Sequence, residues 1–279
     1  MPQQVTNIKK RIASIKGAYK ITSAMKLIST VKLKKWRKAM LDNKAYADEI
    51  SKFTRELFTY AEEVNSPYFN VNSKSEKKLY VIISSTLGLC GSYNNNILRL
   101  ADNEISPSDD ILVLGGKGVA HFSSDGVNLV KGFENYSNLS DSSFIKALFS
   151  FVSNKYIDGT YKEIHLIYSE YVNALVFKAK DALILPLEKS SGNALLPPII
   201  EPSREILIEK TVPIYLKSSL YSKILESEVC EQASRSNAME NATKNAEDLL
   251  SQLSIEFNKA RQGAITQEII EIVACSQNV

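Results

Sequence analysis

The sequence predicts an α/β fold in which two long terminal helices form an antiparallel coiled coil, with a central Rossmann-like α/β domain between them. No proline occurs between Pro2 and Pro67 or after Pro213, so both ends of the chain allow long uninterrupted helices. In the middle, short runs rich in valine and isoleucine alternate with helical segments. That alternation is typical of a mostly parallel sheet covered by helices.

The first predicted helix runs from about Gln4 to Glu63. Its apolar residues recur at spacings of three and four, and the predicted stripe consists of Val5, Ile8, Ile12, Ile15, Met25, Ile28 and Val31. A helix of about 55 residues would be on the order of 80 Å long. Such a helix cannot keep its apolar face dry alone, so we expect it to pair with a second long helix.

The last predicted helix supplies that second helix. Its apolar stripe consists of Leu220, Ile224, Ala242, Ala246, Leu249, Leu253, Phe257 and Ala260. Ala238, Ala242 and Ala246 lie four residues apart on one face, where small side chains let another helix approach closely. The predicted organisation is therefore an N-terminal shaft helix (1–66), a globular α/β domain (67–204) and a C-terminal shaft helix (205–279).

The central domain is predicted from four apolar runs and the helical segments between them. The predicted strands are Lys78–Ser85, Asp110–Gly116, Glu163–Tyr171 and Ala174–Leu187. The predicted helices are Asn95–Glu104, Gly118–Ser123 and Ser142–Tyr156. The segment Glu188–Pro202 contains glycine and three prolines, which indicates an irregular connector to the last helix.

Composition excludes several classes of protein. The hydrophobic fraction of 44% and the charged fraction of 23% are ordinary for a globular chain, and no apolar run is long enough to cross a membrane. Cys90, Cys230 and Cys275 have no metal-site spacing, and their odd number fits a reducing, cytosolic compartment. The basic, amphipathic N-terminus also suggests a transit peptide, but its helical pattern continues too far for one.

No catalytic constellation is evident. The stretch LGGKGVAHF, Leu114–Phe122, lacks the spacing and the Ser or Thr of a Walker loop, so a tight strand-to-helix turn explains its glycines better. The glycine-rich turn Ser85–Asn96 lacks a dinucleotide-binding fingerprint. Cys90 has no evident histidine partner, and His121 and His165 lie in mostly apolar surroundings that favour structural roles. The sequence indicates a protein that is not an enzyme.

Three motifs, in order along the chain, carry a resemblance to a known family. They are IKKRIASIKGAYKITSAMKLIS at Ile8–Ser29, GLCG at Gly88–Gly91, and NKARQGAITQEIIEIV at Asn258–Val273 with AMENATKNA upstream at Ala238–Ala246. The whole chain resembles the gamma subunit of the bacterial-type F-type rotary ATP synthase. Two departures are visible: Ser85-Thr86-Leu87 replaces the usual Ser-Asp-Arg, and Arg235-Ser236 replaces an Arg-Met pair.

The resemblance implies a central rotor stalk without catalytic residues, cofactors or metals of its own. Such a stalk lies within a ring of three alpha and three beta subunits and touches the epsilon subunit and the c-ring at its globular end. It couples ion-driven rotation to conformational changes of the beta subunits during ATP synthesis or hydrolysis. The implied location is the cytoplasmic face of the cell membrane, which the chain would contact only through the complex.

The resemblance also implies which residues contact a beta subunit. Arg261, Gln262 and Thr266 match positions that face a loop of beta, while Met25 and Lys26 match positions near an acidic beta segment. Gln262 and Thr266 share a helix face because they are four residues apart. We expect Ile265, Ile269 and Ile272, on the opposite face, to pack into the seam of the coiled coil.

A nucleic-acid-binding coiled coil is the main alternative. Eleven lysine or arginine residues lie between Lys9 and Lys38, and the first acidic residue is Asp42. This basic stripe could bind phosphates, but it could equally face an acidic protein surface. It contains only Tyr19 and Trp36 as aromatic residues, which disfavours nucleic acid. An enzyme built on the central sheet is a more distant alternative.

Overall fold

The computed structural model describes residues 3–59, 66–72, 75–123, 126–133, 141–173, 176–188, 201 and 203–276. Five helices are present in these ranges: α1 (Gln3–Thr59), α2 (Tyr93–Glu104), α3 (Gly116–Phe122), α4 (Ser142–Ile157) and α5 (Arg204–Ser276). The strands are β1 (Lys78–Ile83), β2 (Asp110–Leu114), β3 (Asn128–Leu129), β4 (Glu163–Tyr171) and β5 (Phe177–Leu185). Most of the predicted connector, 189–200 and 202, lies outside the described residues.

The α/β fold class is confirmed, and the four long strands lie where the sequence predicts them. They form one five-stranded sheet in the order β3-β2-β1-β4-β5, together with the short β3 that the sequence analysis missed. Neighbouring strands from β3 to β4 are parallel, and β5 pairs antiparallel to β4. The predicted strand ends at Ser85 and Gly116 overshoot: β1 ends at Ile83, and Gly116 is already the first residue of α3.

Two compact units divide the chain. The coiled-coil unit comprises residues 1–30 and 235–279, and the α/β unit comprises residues 31–234. Each long helix therefore contributes to both units.

The sheet of the α/β unit is buried on both faces. One face packs on α2 and α3 through a core that includes Tyr93, Ile97 and Phe122. The other face packs on α4, the end of α1 and the first half of α5, with Phe144 and Ile208 fully buried. Burial on both faces is expected for parallel strands, whose crossover helices cover the sheet.

In the coiled-coil unit, α1 and α5 run antiparallel. Residues later in α5 contact residues earlier in α1. Four contacts show this: Thr30 with Ser236, Lys26 with Glu240, Thr22 with Thr243, and Tyr19 with Glu247. The antiparallel coiled coil predicted from the sequence is therefore confirmed. The Tyr19 hydroxyl bonds to the Glu247 carboxylate, and this hydrogen bond raises the pKa of Tyr19.

The seam of this coiled coil follows a strict heptad spacing on α1. Alternating steps of three and four residues connect its half-buried or buried positions, which are Val5, Ile8, Ile12, Ile15, Tyr19, Thr22, Lys26 and Ser29. A strict seven-residue repeat keeps one seam facing the partner by supercoiling the helices. The first four positions are apolar and the last four carry polar groups, so the two halves of the seam are held by different interactions.

The predicted stripe was wrong in this second half. Ile28 and Val31 are 55% and 63% exposed, whereas Thr22 and Ser29 lie in the seam. The sequence interpretation followed the apolar residues, but the heptad spacing of the seam leads instead to polar ones. Ile28 and Val31 consequently add to the exposed apolar surface of α1.

The register gives a direct test of the pairing. The Thr22 and Thr243 hydroxyls lie 3.0 Å apart, so the Thr22→Cys/Thr243→Cys double variant is expected to form an interhelical disulfide under mild oxidation. The shift of the oxidised chain on non-reducing electrophoresis measures it. Ile21→Cys/Thr243→Cys is the matched control, because Ile21 faces outward. Equal crosslinking in both variants would contradict this register.

Candidate partner-binding surfaces

The tip of α5 extends beyond the described part of α1. The register places Val5 opposite the neighbourhood of Arg261, and the described part of α1 begins at Gln3. Residues of α5 after about position 263 therefore have no described residue of α1 opposite them.

The isoleucines of the tip are exposed, which overturns the expectation that they pack into the seam. Ile265, Ile269 and Ile272 are 46%, 55% and 69% exposed. The reason is geometric: the seam needs two helices, and among the described residues only α5 reaches this far. Exposed isoleucines this close together form an apolar patch, and such patches are common at protein–protein interfaces.

The polar residues of the tip are positioned by the same helix. Arg261, Gln262 and Thr266 are all exposed, and Arg261 forms no ion pair with the described residues. The Thr266 hydroxyl donates to the backbone carbonyl of Gln262 at 2.9 Å. Its oxygen lone pairs remain available as acceptors, so this hydroxyl is better suited to receive a hydrogen bond than to donate one.

Met25 and Lys26 lie about 30 Å from this tip along the coiled coil, since some twenty helical residues separate the two levels. Both are half-buried; Lys26 is a seam position and Met25 is the residue before it. The structure thus arranges the five predicted contact residues as two separate groups rather than one site. Any partner that meets both groups must extend along the shaft, or two partners must be involved.

Lys26 has a partner within its own chain that the sequence analysis missed. Its ammonium lies 3.4 Å from the Glu240 carboxylate, which Lys244 also approaches at 3.4 Å. The Lys26 charge and the neighbouring Lys244 hold the pKa of Glu240 below its usual value. The available signal was the polar residues at heptad positions of α1, since Thr22 and Lys26 meet Thr243 and Glu240 of α5.

The two sequence departures have clear structural settings. Leu87, which stands where the family has arginine, is 68% exposed in the turn after β1, beside the exposed Leu89. This turn is therefore apolar at its surface. Ser236, the other departure, lies in the seam with its hydroxyl 3.1 Å from that of Thr30.

Cys90 has a structural environment rather than a nucleophilic one. The thiol is buried, the Asn94 amide donates to it at 3.2 Å, and the same amide donates to Ser85 Oγ at 2.8 Å. The Asn94 carbonyl oxygen accepts from the Ser85 backbone amide at 3.0 Å. This network fixes the turn between β1 and α2. No histidine takes part in these bonds.

The histidines are engaged with carboxylates. His121 bonds to Asp102 at 2.9 Å, and His165 bonds to Asp181 at 2.8 Å and to Glu163 at 3.2 Å. Within the described ranges, no group of three or more His, Cys, Asp or Glu residues is placed to hold a metal ion.

His165 gives the α/β unit a pH dependence. Burial is the largest single influence and lowers its pKa, but the hydrogen bond and charge of Asp181, together with Glu163, outweigh it and leave the pKa raised. Because the pKa of His165 is higher in the folded chain than in the unfolded chain, protonation of His165 stabilises the fold. This stabilisation is complete below the unfolded pKa of about 6.5 and is lost as the pH rises through the folded pKa.

We therefore expect the urea midpoint of the full chain to fall as the pH rises from about 6.5 through the raised pKa of His165, and to fall less in His165→Gln. Glu163 does not complicate this window. The hydrogen bond from Lys78, its main influence, lowers its pKa, so the stability that Glu163 adds is lost only in acid. Identical pH profiles for the wild type and His165→Gln would contradict the assignment.

None of the described helices contains a stretch apolar and long enough to pass through a lipid bilayer.

A helical pair with exposed apolar outer faces, in one chain with an α/β sheet covered on both faces, is typical of a protein that binds partners. Comparison with known proteins makes this specific. A family model described as ATP synthase matches residues 4–279. The chain is 37% identical over 276 residues to the ATP synthase gamma chain of Clostridium beijerinckii, covering 97% of each sequence. The chain belongs to the ATP synthase gamma chain family.

Solved structures agree with this assignment. The central stalk and c-ring structure of Tetrahymena thermophila mitochondrial ATP synthase contains a chain 27% identical to this one, with a TM-score of 0.60 over 80% of this chain and 99% of that chain. The rotor of Euglena gracilis mitochondrial ATP synthase contains a chain with a TM-score of 0.70 at 20% identity, covering 95% of this chain and all of that one. The second likeness is one of fold.

Proposed function

We propose that this chain is the central rotor stalk of an ATP synthase, coupling ion-driven rotation of a c-ring to conformational changes in catalytic beta subunits. The observation that carries the proposal is the last part of α5, where isoleucines and hydrogen-bonding side chains are both exposed. Family membership supplies the context for that surface. The chain itself takes no part in the chemistry of ATP; catalysis belongs to its partners.

The mechanism rests on differential contact. A shaft that is not symmetric about its long axis presents different side chains to each of three surrounding beta subunits. Each beta conformation is then stabilised by a different face, and rotation exchanges those stabilisations. On this chain, α1 carries exposed Ile21, Leu27 and Ile28. The tip of α5 carries a different set, so the contacts differ along the shaft as well as around it.

The polar residues of the tip would give these contacts direction. Arg261, Gln262 and Thr266 can hold a backbone loop of a beta subunit, with the Gln262 amide donating and accepting and the Thr266 oxygen accepting. Isoleucines nearby supply apolar area without orientation. Together, the apolar and polar contacts would hold a loop of a beta subunit in one orientation.

Met25 and Lys26 are proposed to meet an acidic segment of a beta subunit at the level of Glu240, away from the tip of α5. Because Lys26 already lies beside Glu240, it would share its three N–H donors between the two carboxylates. The basic stripe of α1 would extend this electrostatic attraction along the shaft. The polar half of the seam is thereby adapted to hold a lysine where a beta subunit can reach it.

The remaining partners follow from the same proposal. Three alpha and three beta subunits would surround one copy of this chain, and an epsilon subunit and the c-ring would contact the globular domain. The chain would be peripheral, on the cytoplasmic face of the membrane, and held there only by the complex. We retain the division into shaft helices 1–66 and 205–279 and a globular domain 67–204 as part of this proposal.

Co-purification tests the function most directly. An affinity-tagged chain expressed in its own cells is expected to retain alpha and beta subunits at about three copies of each per tagged chain. The ratio is read by quantitative mass spectrometry of the purified complex. Isolation without alpha and beta, together with salt-sensitive retardation of DNA in gel shifts, would instead indicate the nucleic-acid-binding alternative.

A further inference from the structure

A row of alternating charges crosses three neighbouring strands of the sheet. The Lys78 ammonium on β1 donates to the Glu163 carboxylate on β4 at 2.7 Å. One ring nitrogen of His165, two residues further along β4, lies 3.2 Å from the same carboxylate oxygen. The other ring nitrogen lies 2.8 Å from Asp181 on β5. The charges alternate in sign across β1, β4 and β5 only when the histidine is cationic.

The hydrogen bonds of His165 require that charge. An ionised carboxylate can only accept hydrogen bonds, and a neutral imidazole has a single N–H to donate. Only the imidazolium form can therefore donate to Glu163 and Asp181 at the same time. When one proton leaves the ring, one of the two bonds is lost and a nitrogen lone pair faces a carboxylate oxygen.

Asp181 depends strongly on its bond to His165. Its Oδ1 atom is buried and has no hydrogen-bond partner among the described residues, so Oδ2, which faces the ring, carries the polar contact. The side chains of His165 and Asp181 are only 13% and 22% exposed, and the histidine ring stacks on that of Tyr80. Water is poorly placed to replace a lost bond here, and a buried carboxylate without a partner is costly.

The backbone ladder is irregular at the same place. The pairing of β4 with β5 shifts between Ile164, which lies opposite Leu185, and His165, which lies opposite Leu183. Such a bulge leaves an extra residue on one strand without a regular partner. β5 is also the last strand of the described sheet, with β4 as its described neighbour. Side-chain bonds between the two strands therefore contribute more to holding this end of β5 than they would beside a regular ladder.

His165 is the group of this cluster that changes charge near neutral pH. The titratable groups around it are Lys78 and Tyr80 on β1, Glu163 on β4, Asp181 on β5, Glu104 at the end of α2 and Asp109 before β2. Burial, aided by the nearby carboxylates, raises the pKa of Tyr80 to about 12, so the tyrosine stays neutral. The hydrogen bond between Lys78 and Glu163 raises the pKa of the lysine and lowers that of the glutamate, so both stay charged.

We propose that His165 is a pH-sensitive latch on β5: its protonated form holds the end of this strand at 181–185 to β4, and loss of the proton lets that end open more often. The latch therefore closes on the acidic side of its titration and loosens on the alkaline side. The strand that it controls lies at the edge of the described sheet, where backbone groups can pair with another chain. Opening of this end changes the surface that the edge presents.

Hydrogen exchange of the purified full chain tests the latch. Mass spectrometry follows the peptides at a series of pH values from about 6 upward, with the pH dependence of intrinsic exchange corrected. Protection of 177–185 is expected to fall roughly fivefold as the pH rises through the titration of His165, because a charge-assisted bond is lost. Peptides of the coiled-coil unit are the internal reference and should not change. Protection of β5 that is independent of pH would overturn the proposal.

Variants assign the effect to the latch. His165→Gln should abolish the pH dependence of β5 protection, whatever its effect on overall stability, because glutamine does not titrate. His121→Gln is the matched control: His121 bonds to a carboxylate, Asp102, outside the sheet, and its replacement should leave the dependence intact. Asp181→Asn removes the acceptor charge on β5 and should reduce the same dependence, which keeps the test available where His165→Gln does not fold. Equal pH dependence in all the variants would refute the latch.

Low, non-denaturing urea separates opening of the strand from unfolding of the whole unit. A local opening exposes little surface, so exchange of 177–185 should depend weakly on urea while exchange of 78–83 in β1 depends on it steeply. An equally steep dependence for both strands would mean that β5 opens only with the whole unit, and the proposed latch on this strand would be wrong.

Discussion

Gly115→Ala is expected to destabilise the chain by more than about 3 kcal/mol, with no change in the coiled-coil unit. Gly115 precedes α3 with φ at 108°, a conformation that residues with a Cβ rarely adopt. A Cβ built there would lie 2.1 Å from the backbone oxygen of Ser84 and 2.7 Å from its carbonyl carbon. Backbone atoms cannot yield as a flexible side chain can, so the ends of β1 and β2 would have to separate.

That separation would break a compact hydrogen-bond network. The Ser84 amide donates to the carbonyl of Leu114 at 2.8 Å, and the Gly118 amide donates to Ser84 Oγ at 3.0 Å. These bonds join the carboxyl end of β1 to β2 and to the start of α3. Losing them would expose buried polar groups at the centre of the sheet.

Gly132→Ala is the matched control for this variant. Gly132 has φ at 116°, but a Cβ there has nothing within 4 Å among the described atoms. The Gly132→Ala variant therefore has the backbone strain without the clash. Its free energy of unfolding should be lower by only about 1–2 kcal/mol. Urea denaturation of the full chain, followed by circular dichroism, measures both. Similar midpoints for the two variants would mean that the close approach to Ser84 contributes little.

The same geometry explains why the glycine-rich stretch 114–122 could be interpreted correctly from sequence. Its glycines do not follow a phosphate-binding pattern, and a tight turn was predicted instead. The structure supplies the physical reason: the turn needs a positive φ at Gly115 and a close approach at Gly118, whose Cβ would meet Ser84 Oγ and Val113 Cγ1 at 2.7 Å. The sequence alone predicts a tight turn from its glycines. It does not predict which atoms leave no room for a side chain there.

The sheet was predictable because its strands are short, apolar and rich in β-branched residues, which distinguishes them from the long helices. β3 was not predictable, since two residues carry no periodic pattern. The antiparallel pairing of β5 likewise depends on how the chain returns after β4. Neither is encoded in local composition.

For the coiled coil, the sequence predicted the pairing of the helices but not the residues of the seam. Its existence followed from the apolar spacing, but its seam did not, because half of the seam is polar. Pairing Lys26 with Glu240 requires a register between residues more than two hundred positions apart. The exposure of the tip is equally non-local: Ile265 fits the apolar spacing of a seam residue, but its side chain is 46% exposed, and the spacing alone does not show this. The contact residues came from family resemblance, not from residue chemistry.

Gln262→Ala/Thr266→Val is expected to lower ATP turnover of a reconstituted alpha–beta–gamma complex roughly fivefold or more while leaving its assembly intact. The two side chains share one face of α5 and both are exposed, so their removal exposes no core and opens no cavity. Each neutral hydrogen bond contributes about 0.5–1.5 kcal/mol, and the loss of two is enough for such a change. Apolar contact by Ile265 and Ile269 would persist and preserve assembly.

The choice of valine matters for this experiment. The Thr266 hydroxyl donates to the Gln262 carbonyl, a bond within the helix, and valine keeps the branched shape while removing only that hydroxyl. Loss of the bond costs the helix little, because the same carbonyl still accepts from the backbone. Any loss of turnover therefore reports the contact with the partner rather than a damaged helix.

Gln267→Ala serves as the control in the same tip. Gln267 lies about 140° around the helix from Gln262, and its amide bonds to Glu271 at 2.9 Å. This control should retain full turnover if the contact depends on one face of α5. Turnover and the yield of assembled complex are measured side by side for all three proteins. Full activity in the double variant would refute the contact role, and lost assembly with normal turnover per complex would make Gln262 and Thr266 determinants of assembly instead.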